Sequence, residues 1–305
     1  MAREKIVPVF VPHLGCPNDC VFCNQKRITG TIKSACASDV PQDTDGQIAF
    51  YGGSFTAIDV KTQIELLEAA KGHSIRLSTR PDAIDDVVLE RLKRYGVETI
   101  EIGAQSLDNE VLRMSGRGHS AEDVVRASQM IKQYGFKLVL QMMTGLPGSS
   151  DEKDIATAEK IIQLRPDGVR IYPTVIVRDT ALFDMWKAGT YKEHTVEDAV
   201  CVCSKILPLF EKAGISVIRL GLNPTDDLSN GDAVAGAYHP ALGELVRSRI
   251  LRDEIEQKVI NGESCFTVPD KLLSQYLGQH RGNVMYLEEK YHKPITIKSD
   301  RLQQK

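Results

Sequence analysis

KIVPVFVPHLGCPNDCVFCNQ, residues 5–25, runs from an apolar segment straight into three cysteines, Cys16, Cys20 and Cys23, spaced CxxxCxxC. Its first part, KIVPVFVP (5–12), is short and almost continuously apolar, which is how a strand buried on both faces of a parallel sheet reads. The same signature returns in IAFYGG (48–53), IRLST (75–79), TIEIG (99–103), LVLQMMTG (138–145) and VRIYP (169–173). Helical periods lie between these runs. Val60, Ile64 and Leu67 form one; Ile84, Val88, Leu92 and Tyr95 form another, stopped by Gly96. Ser120 and Asp123 make a capping box ahead of Val124, Ala127 and Ile131, which Gly135 closes, and Ile155, Ala158 and Ile162 mark the next helix. Six βα units in succession predict a parallel α/β sheet or barrel.

After residue 175 the rhythm changes. VEDAVCVCSKILPLFEKAG (196–214) reads as a helix, ISVIRLGL (215–222) as a strand, and PALGELVRSRILRDEIEQKVI (240–260) as a long helix. No low-complexity linker separates this part, so it is expected to pack on the barrel as an extension spanning 181–305, behind a core of 1–180.

The 305 residues are 42% hydrophobic and 26% charged, the composition of an ordinary globular protein. A net charge of -3 argues against a general nucleic-acid coat, because non-specific binding needs many neutralised phosphates, while leaving a local basic patch open. No window approaches the ~18 apolar residues of a membrane span, and MAREKIVPVF lacks the plan of a signal peptide, so a cytoplasmic location is expected. Seven cysteines, three of them in one loop, make a poor disulfide framework and point to metal ligation in a reducing compartment.

What the three thiolates hold is left open by ligand counting. With His13 they supply the four ligands of a structural zinc. Alternatively, three thiolates on an iron-sulfur cluster leave one iron without a protein ligand, open to a substrate or cofactor. The loop, with Phe22 before the third cysteine and polar or glycine-rich ends on the later strands, resembles the radical S-adenosylmethionine (SAM) enzymes. HLGCPNDCVFCNQ, FYGGSFTAI, STRPD, GAQSLDNEVLRMSGRGHS, LQMMTGLPG and RIYPTVI together are similar to the radical SAM domain of the Elongator catalytic subunit, and more distantly to oxygen-independent coproporphyrinogen oxidases.

That resemblance implies a partial (βα)6 TIM-like barrel with a C-terminal α/β extension. It also implies a 4Fe-4S cluster on Cys16, Cys20 and Cys23, whose open iron takes SAM, and reductive cleavage of SAM to a 5'-deoxyadenosyl radical. SAM contacts fall, on the same basis, to Phe22, Gly52, Gly53, Ser54, Thr56, Ser78, Arg80, Glu101, Gln105, Gly145 and Leu146. Ser54 and Phe55 stand where the family's GGEP motif has Glu-Pro. Glu101, costly to bury alone, has as its other reading a pair with a barrel arginine such as Arg80. Arg117 and His119 sit on a loop expected to face the cofactor, and Arg170, Tyr172 and His239 are the candidate catalytic residues.

The Elongator subunit carries a further acetyltransferase domain and uses acetyl-CoA; the present sequence offers no room for one, so acetyl-CoA is not expected. Residues 271–305 carry seven Lys or Arg against three acids. Arg247, Arg249, Arg252, Arg281, Lys290 and Lys293, with Tyr286 and Tyr291 interleaved, are candidates for RNA contact. The expected substrate is therefore RNA, with a tRNA base in first place, and the electron donor a flavodoxin or ferredoxin. A small-molecule substrate of the coproporphyrinogen type and a non-enzymatic iron-sulfur or zinc sensor are the competing readings.

Overall fold

The computed structural model describes residues 5–16, 20–24, 27–28, 33–223 and 231–303. Seven parallel strands form one sheet in the order β1 (Ile6–Phe10), β2 (Gln47–Tyr51), β3 (Ile75–Thr79), β4 (Val97–Gln105), β5 (Lys137–Thr144), β6 (Gly168–Pro173) and β8 (Ser216–Leu220), curled into a half-barrel. The six expected strands are all present, in chain order. ISVIRLGL adds a seventh strand beside β6, so the sheet draws its last member from beyond residue 180.

The helices α1 (Val60–Ala69), α2 (Asp86–Arg94), α3 (Asn109–Met114), α4 (Ala121–Gln133), α5 (Asp151–Leu164), α6 (Ala181–Lys187) and α7 (Val196–Lys212) follow between the strands. Their starts are set by side-chain caps. Asp59 accepts from Lys61 N and Thr62 N, and Ser120 with Asp123 closes both arms of the expected capping box. The buried face of α5 is Asp154, Thr157, Ala158 and Ile161, about one residue of phase away from the 155/158/162 stripe, because two polar residues are drawn inward by hydrogen bonds.

The principal core lies between the convex face of the sheet and these helices, where Ile48, Phe50, Leu77, Ile100 and Leu140 meet Leu67, Leu89, Ile131 and Phe210. The strand register then puts the opposite residues on the concave face. Ala49 pairs with Arg76, Ser78 with Glu101, Gln141 with Arg170, and Arg170 with Arg219, so the inside of the half-barrel is polar and charged.

Beyond the sheet, β7 (Val175–Val177) pairs antiparallel with β9 (Ala233–Gly236), forming a ribbon next to the cysteine loop. The long α8 (Leu242–Ile260) packs on α7 and carries a small second core. Ile255, Val259, Phe266, Val268, Val284 and Leu287 there join α8 to the parallel pair β10 (Cys265–Val268) and β11 (Thr296–Ser299), with α9 (Leu273–Leu277) and α10 (Gly282–Tyr291) completing the extension. Among the described residues, no helix is long and apolar enough to cross a membrane.

Candidate active site

The cysteine loop is laced onto the turn that follows β2. Val11 N donates to Tyr51 O at 2.8 Å, His13 N to Gly52 O at 2.9 Å, and Ser54 N to Leu14 O at 2.8 Å. A Cβ on Gly53 would fall 2.5 Å from the carbonyl oxygens of both Val11 and Leu14, closer than real contacts allow. The missing side chain thus serves the seating of the cysteine loop.

Downstream, Cys20, Val21, Phe22 and Cys23 settle into an apolar cluster with Val111, Met143, Leu146, Leu182 and Trp186. Two backbone bonds fix that seat: Val21 N to Ser115 O at 3.1 Å and Leu182 N to Val21 O at 2.7 Å. Arg27 then clasps the loop to the β7–β9 ribbon, with Nη1 2.7 Å from Asp232 Oδ1 and Nε 3.0 Å from Asp179 Oδ2.

None of the three cysteines is in a disulfide. Cys16 lies at the exposed end of the loop, yet the protein packed round its sulfur and the neighbouring Cys20 push its pKa up, against the opposing pull of Arg117 and Arg80. Arg117 Nη1 donates to Cys20 Sγ at 3.2 Å. Among the described residues no three His, Cys, Asp or Glu side chains are drawn together tightly enough to hold a metal ion, which applies to the His13-plus-cysteine zinc set as well. The donor chemistry nonetheless fits an iron-sulfur cluster. The loop offers three soft thiols, flanked by two guanidiniums that offset thiolate charge, and Arg117 Nε is buried without a hydrogen-bond partner.

Below the rim, the lumen is locked by one carboxylate. Glu101, 4% exposed, accepts from Tyr51 Oη at 2.5 Å, from Arg76 Nη1 at 2.9 Å, and from Arg170 through Nε at 2.8 Å and Nη2 at 3.1 Å. Burial by itself would push the Glu101 carboxyl up; Arg170, Tyr51 and Arg76 outweigh it and hold the group below the usual carboxylate range. Burial, then the Glu101 charge, raises the Tyr51 phenol, which stays protonated and donating.

The expected Arg80 partner is therefore corrected. Arg80 sits past the end of β3 at the entry of a tight turn, and Asp82, two residues on, captures it at 2.7 and 2.9 Å. Arg76, on the strand itself, is what reaches Glu101.

Several residues read as SAM contacts are spent inside the protein. Ser54 Oγ and Thr56 Oγ1 lie 3.1 and 2.6 Å from Thr79 Oγ1, and Thr56 also donates to Ala83 O at 2.7 Å, which pins the turn after β2 to the end of β3. Ser78 Oγ bonds weakly to Phe50 O at 3.4 Å. Gln105, at φ +64° on the bulge that ends β4, accepts from Gln141 Nε2 at 3.2 Å.

Gly145 has φ +71° and lies against His194, whose Cγ would be 2.1 Å from an added Cβ. Its N donates to Asp154 Oδ2 at 2.9 Å and its O accepts from Tyr191 Oη at 2.6 Å, so the GLPG turn is clamped from outside, while Leu146 is buried beside Phe22. Tyr172 is half-buried at the rim of β6, and His239 Nδ1 accepts from Ala241 N at 3.1 Å, at the entry of α8. His119 is buried; burial, then Arg117, pulls its pKa down to about 4, so it is neutral, with Nε2 3.2 Å from Ala104 O.

The six RNA candidates share the extension and its approach, but most are paired with acids. Arg247 meets Glu211 at 3.0 Å, Arg249 meets Asp253 at 2.9 Å and Glu197 at 3.1 Å, and Lys290 meets Glu256 at 2.8 Å. Arg252 lies 4.0 Å from the centroid of the Tyr286 ring, and Lys293 donates to Val259 O at 3.0 Å. Arg281 is exposed.

Sequence reasoning missed Tyr51, Arg76, Arg219, Gln141, His194 and Asp154. The signal for the lumen arginines was present: each sits alone, at an alternating position, within an otherwise apolar strand.

Two family models match successive parts of the chain, the Radical SAM superfamily over residues 10–161 and the Radical_SAM C-terminal domain over 166–252. The tRNA uridine(34) acetyltransferase of Methanocaldococcus infernus is 37% identical over 184 residues, covering 59% of this chain and 34% of that protein. Elongator complex protein 3 of Schizosaccharomyces pombe is 34% identical over 164 residues, covering 53% and 30%. The chain thus spans about a third of the length of these curated relatives. The solved structure of the archaeal Methanocaldococcus infernus Elp3 with an N-terminal deletion superposes with a TM-score of 0.58 at 26% identity, covering 84% of this chain and 64% of that one. With the cysteine loop at the carboxyl rim of a parallel half-barrel, these matches make the chain a member of the radical SAM superfamily of enzymes, on its Elongator-like branch.

Proposed function

We propose that this chain holds a 4Fe-4S cluster on Cys16, Cys20 and Cys23, binds SAM along the adjoining strand ends, and modifies RNA, with a tRNA base as the substrate class. The observation that carries the reading is the three-cysteine loop, laced to the turn after β2 and flanked by Arg80 and Arg117. The tRNA-directed names of the similar proteins support the substrate class. Together, the bound cluster and SAM supply a one-electron reductive cleavage that yields a carbon radical.

The chain's own residues do the rest. Phe22, Met143, Leu146 and Trp186 form a dry wall behind the cysteines, which limits quenching by water. The Glu101 lock provides a rigid polar floor, so the reacting groups meet above it at the rim, near Tyr172. Residues 1–180 act as the radical core and 181–305 present the substrate. A flavodoxin or ferredoxin in the cytoplasm supplies the electron.

A small-molecule substrate is the second reading. It is favoured by one observation, that most of the candidate RNA cations already have internal partners. Binding of tRNA at low salt, where phosphate contacts are strongest, separates the two.

The test is 5'-deoxyadenosine formation by anaerobically reconstituted, reduced protein given SAM, with and without total tRNA, for wild type beside Cys20→Ala. Formation that is lost in the variant and stimulated by tRNA is the expected result. Stoichiometric zinc with no iron in the wild type would overturn the cluster, and cleavage indifferent to tRNA, with no tRNA binding, would overturn the RNA substrate.

A further inference from the structure

Arg117 belongs to the loop after α3, and that loop is fixed on three sides. Ser115 O accepts from Val21 N of the cysteine loop at 3.1 Å, Arg117 N donates to Leu112 O at 2.9 Å, and His119 Nε2 rests 3.2 Å from Ala104 O at the end of β4. The guanidinium is held as firmly as its backbone. Nη2 donates to Gly103 O at 2.7 Å while Nη1 points at Cys20 Sγ, 3.2 Å away.

Gly103 lies at the β4 bulge, directly against the guanidinium: a Cβ there would meet Arg117 Nη2 at 3.4 Å, the edge of ordinary contact, and press on Gln105 Nε2 at 3.1 Å. Arg80, the other guanidinium near these cysteines, is already closed on a carboxylate, Asp82. Among the described residues no acid is paired with Arg117, whose side-chain partners are the Cys20 sulfur and the Gly103 carbonyl.

We propose that Arg117 is a positioning residue that sets the reduction potential of the cluster, by donating a charge-assisted hydrogen bond to the sulfur of Cys20. The inference rests on the cluster reading given above. Reduction adds one negative charge to the cluster, and a fixed cation hydrogen-bonded to a ligand sulfur stabilises the reduced form more than the oxidised one. Its neutral replacement makes the cluster harder to reduce. The bridge also ties Cys20 to β4, so the sulfur is held where the donor points.

The experiment is a redox titration of reconstituted protein without SAM, followed by the electron paramagnetic resonance signal of the reduced cluster, for wild type, Arg117→Met and Arg117→Gln, each normalised to iron and sulfide content. A roughly tenfold fall in the reduction equilibrium constant is expected in both variants, a midpoint about 59 mV more negative. Should Arg117→Met fail to retain iron, Arg117→Gln, which keeps an N–H donor without the charge, decides the matter. A midpoint within error of wild type in a variant that carries a full cluster would overturn the inference and leave the cluster reading intact. A wild type with no cluster at all overturns both.

Discussion

Glu101→Gln tests whether the lumen lock is structural. The substitution keeps shape and removes charge, leaving Arg76 and Arg170 buried without their common anion. Glu101 receives four hydrogen bonds, three from guanidinium nitrogens, and its side chain is only 5% exposed, so solvent screens little of the loss. Removing one partner of a buried ion pair destabilises by about 3–5 kcal/mol. An unfolding entropy of about 2.1 cal/mol/K per residue, taken over 305 residues, gives roughly 0.6 kcal/mol/K, so Tm should fall by about 5–8 °C.

The assay is a thermal melt at pH 7, read beside SAM affinity. If Glu101 acted mainly as a SAM ligand, Tm would hold and the Kd for SAM would rise. A Glu101→Gln protein melting within about 1 °C of wild type would refute the lock. The pH dependence has a definite sign. Because the folded pKa is depressed, the stabilisation is fully present above the ordinary value of 4.5 and is lost progressively as pH falls from there through the lower folded one. The difference in stability between wild type and Glu101→Gln should therefore stay constant above that ordinary value and shrink as pH falls below it.

The remaining predictions concern the supports around the site. Burial raises Asp154 to about 6 from 3.8, so between those values the folded protein binds the extra proton and stability declines as pH rises; in Asp154→Asn that slope should vanish from the Tm profile. Gly53→Ala places a methyl against two carbonyls of the cysteine loop and should at least halve the iron retained after reconstitution, measured per mole of folded protein. Arg27→Met releases Asp179 and Asp232 and should speed limited proteolysis near residues 24–28 with little change elsewhere. Asn283 donates to Ser248 O, Ser248 Oγ, Gln275 O and Tyr276 O. Asn283→Ala, which leaves these acceptors to find other partners at a cost of about 1–3 kcal/mol, should accelerate amide exchange in β10 and β11 while β5 stays protected.

The fold was legible because apolar runs and helical periods alternate without interruption, and Gly96, Gly135 and the Ser120–Asp123 box punctuate them where the helices end and begin. The cysteine loop was legible from its spacing. The partners of individual side chains were not, since they are set across strands. Arg80 and Arg76 are four residues apart in one segment, and only the position of the strand end decides that the first turns to Asp82 and the second to Glu101. Ser54, Thr56 and Gly53, read as ligand contacts, carry a structural role that spacing does not encode, because a turn and a binding loop use the same residue types. In the fold, their hydrogen bonds and their close approach serve the turn and the neighbouring loop.

A strand buried on both faces need not be apolar on both. IRLST, TIEIG, VRIYP and ISVIRLGL each carry one charged residue among apolar neighbours, and the register gathers Arg76, Glu101, Arg170 and Arg219 onto the same concave surface. With Arg76 and Arg170 both hydrogen-bonded to Glu101, the bottom of the half-barrel is a cross-linked polar floor that keeps an excess of positive charge. On the function proposed above, substrate choice falls to what lies above it: Tyr172 and the loops at the strand ends, the β7–β9 ribbon clasped to the cysteine loop, and the extension built on α8. The same division explains why the motif series identifies the chemistry so much more sharply than the substrate. The residues proposed to prepare the radical lie on the sheet and its first loops, where spacing is constrained. Those proposed to meet the substrate lie on elements whose positions are fixed by long-range contacts such as Arg27 to Asp232, which no local pattern encodes.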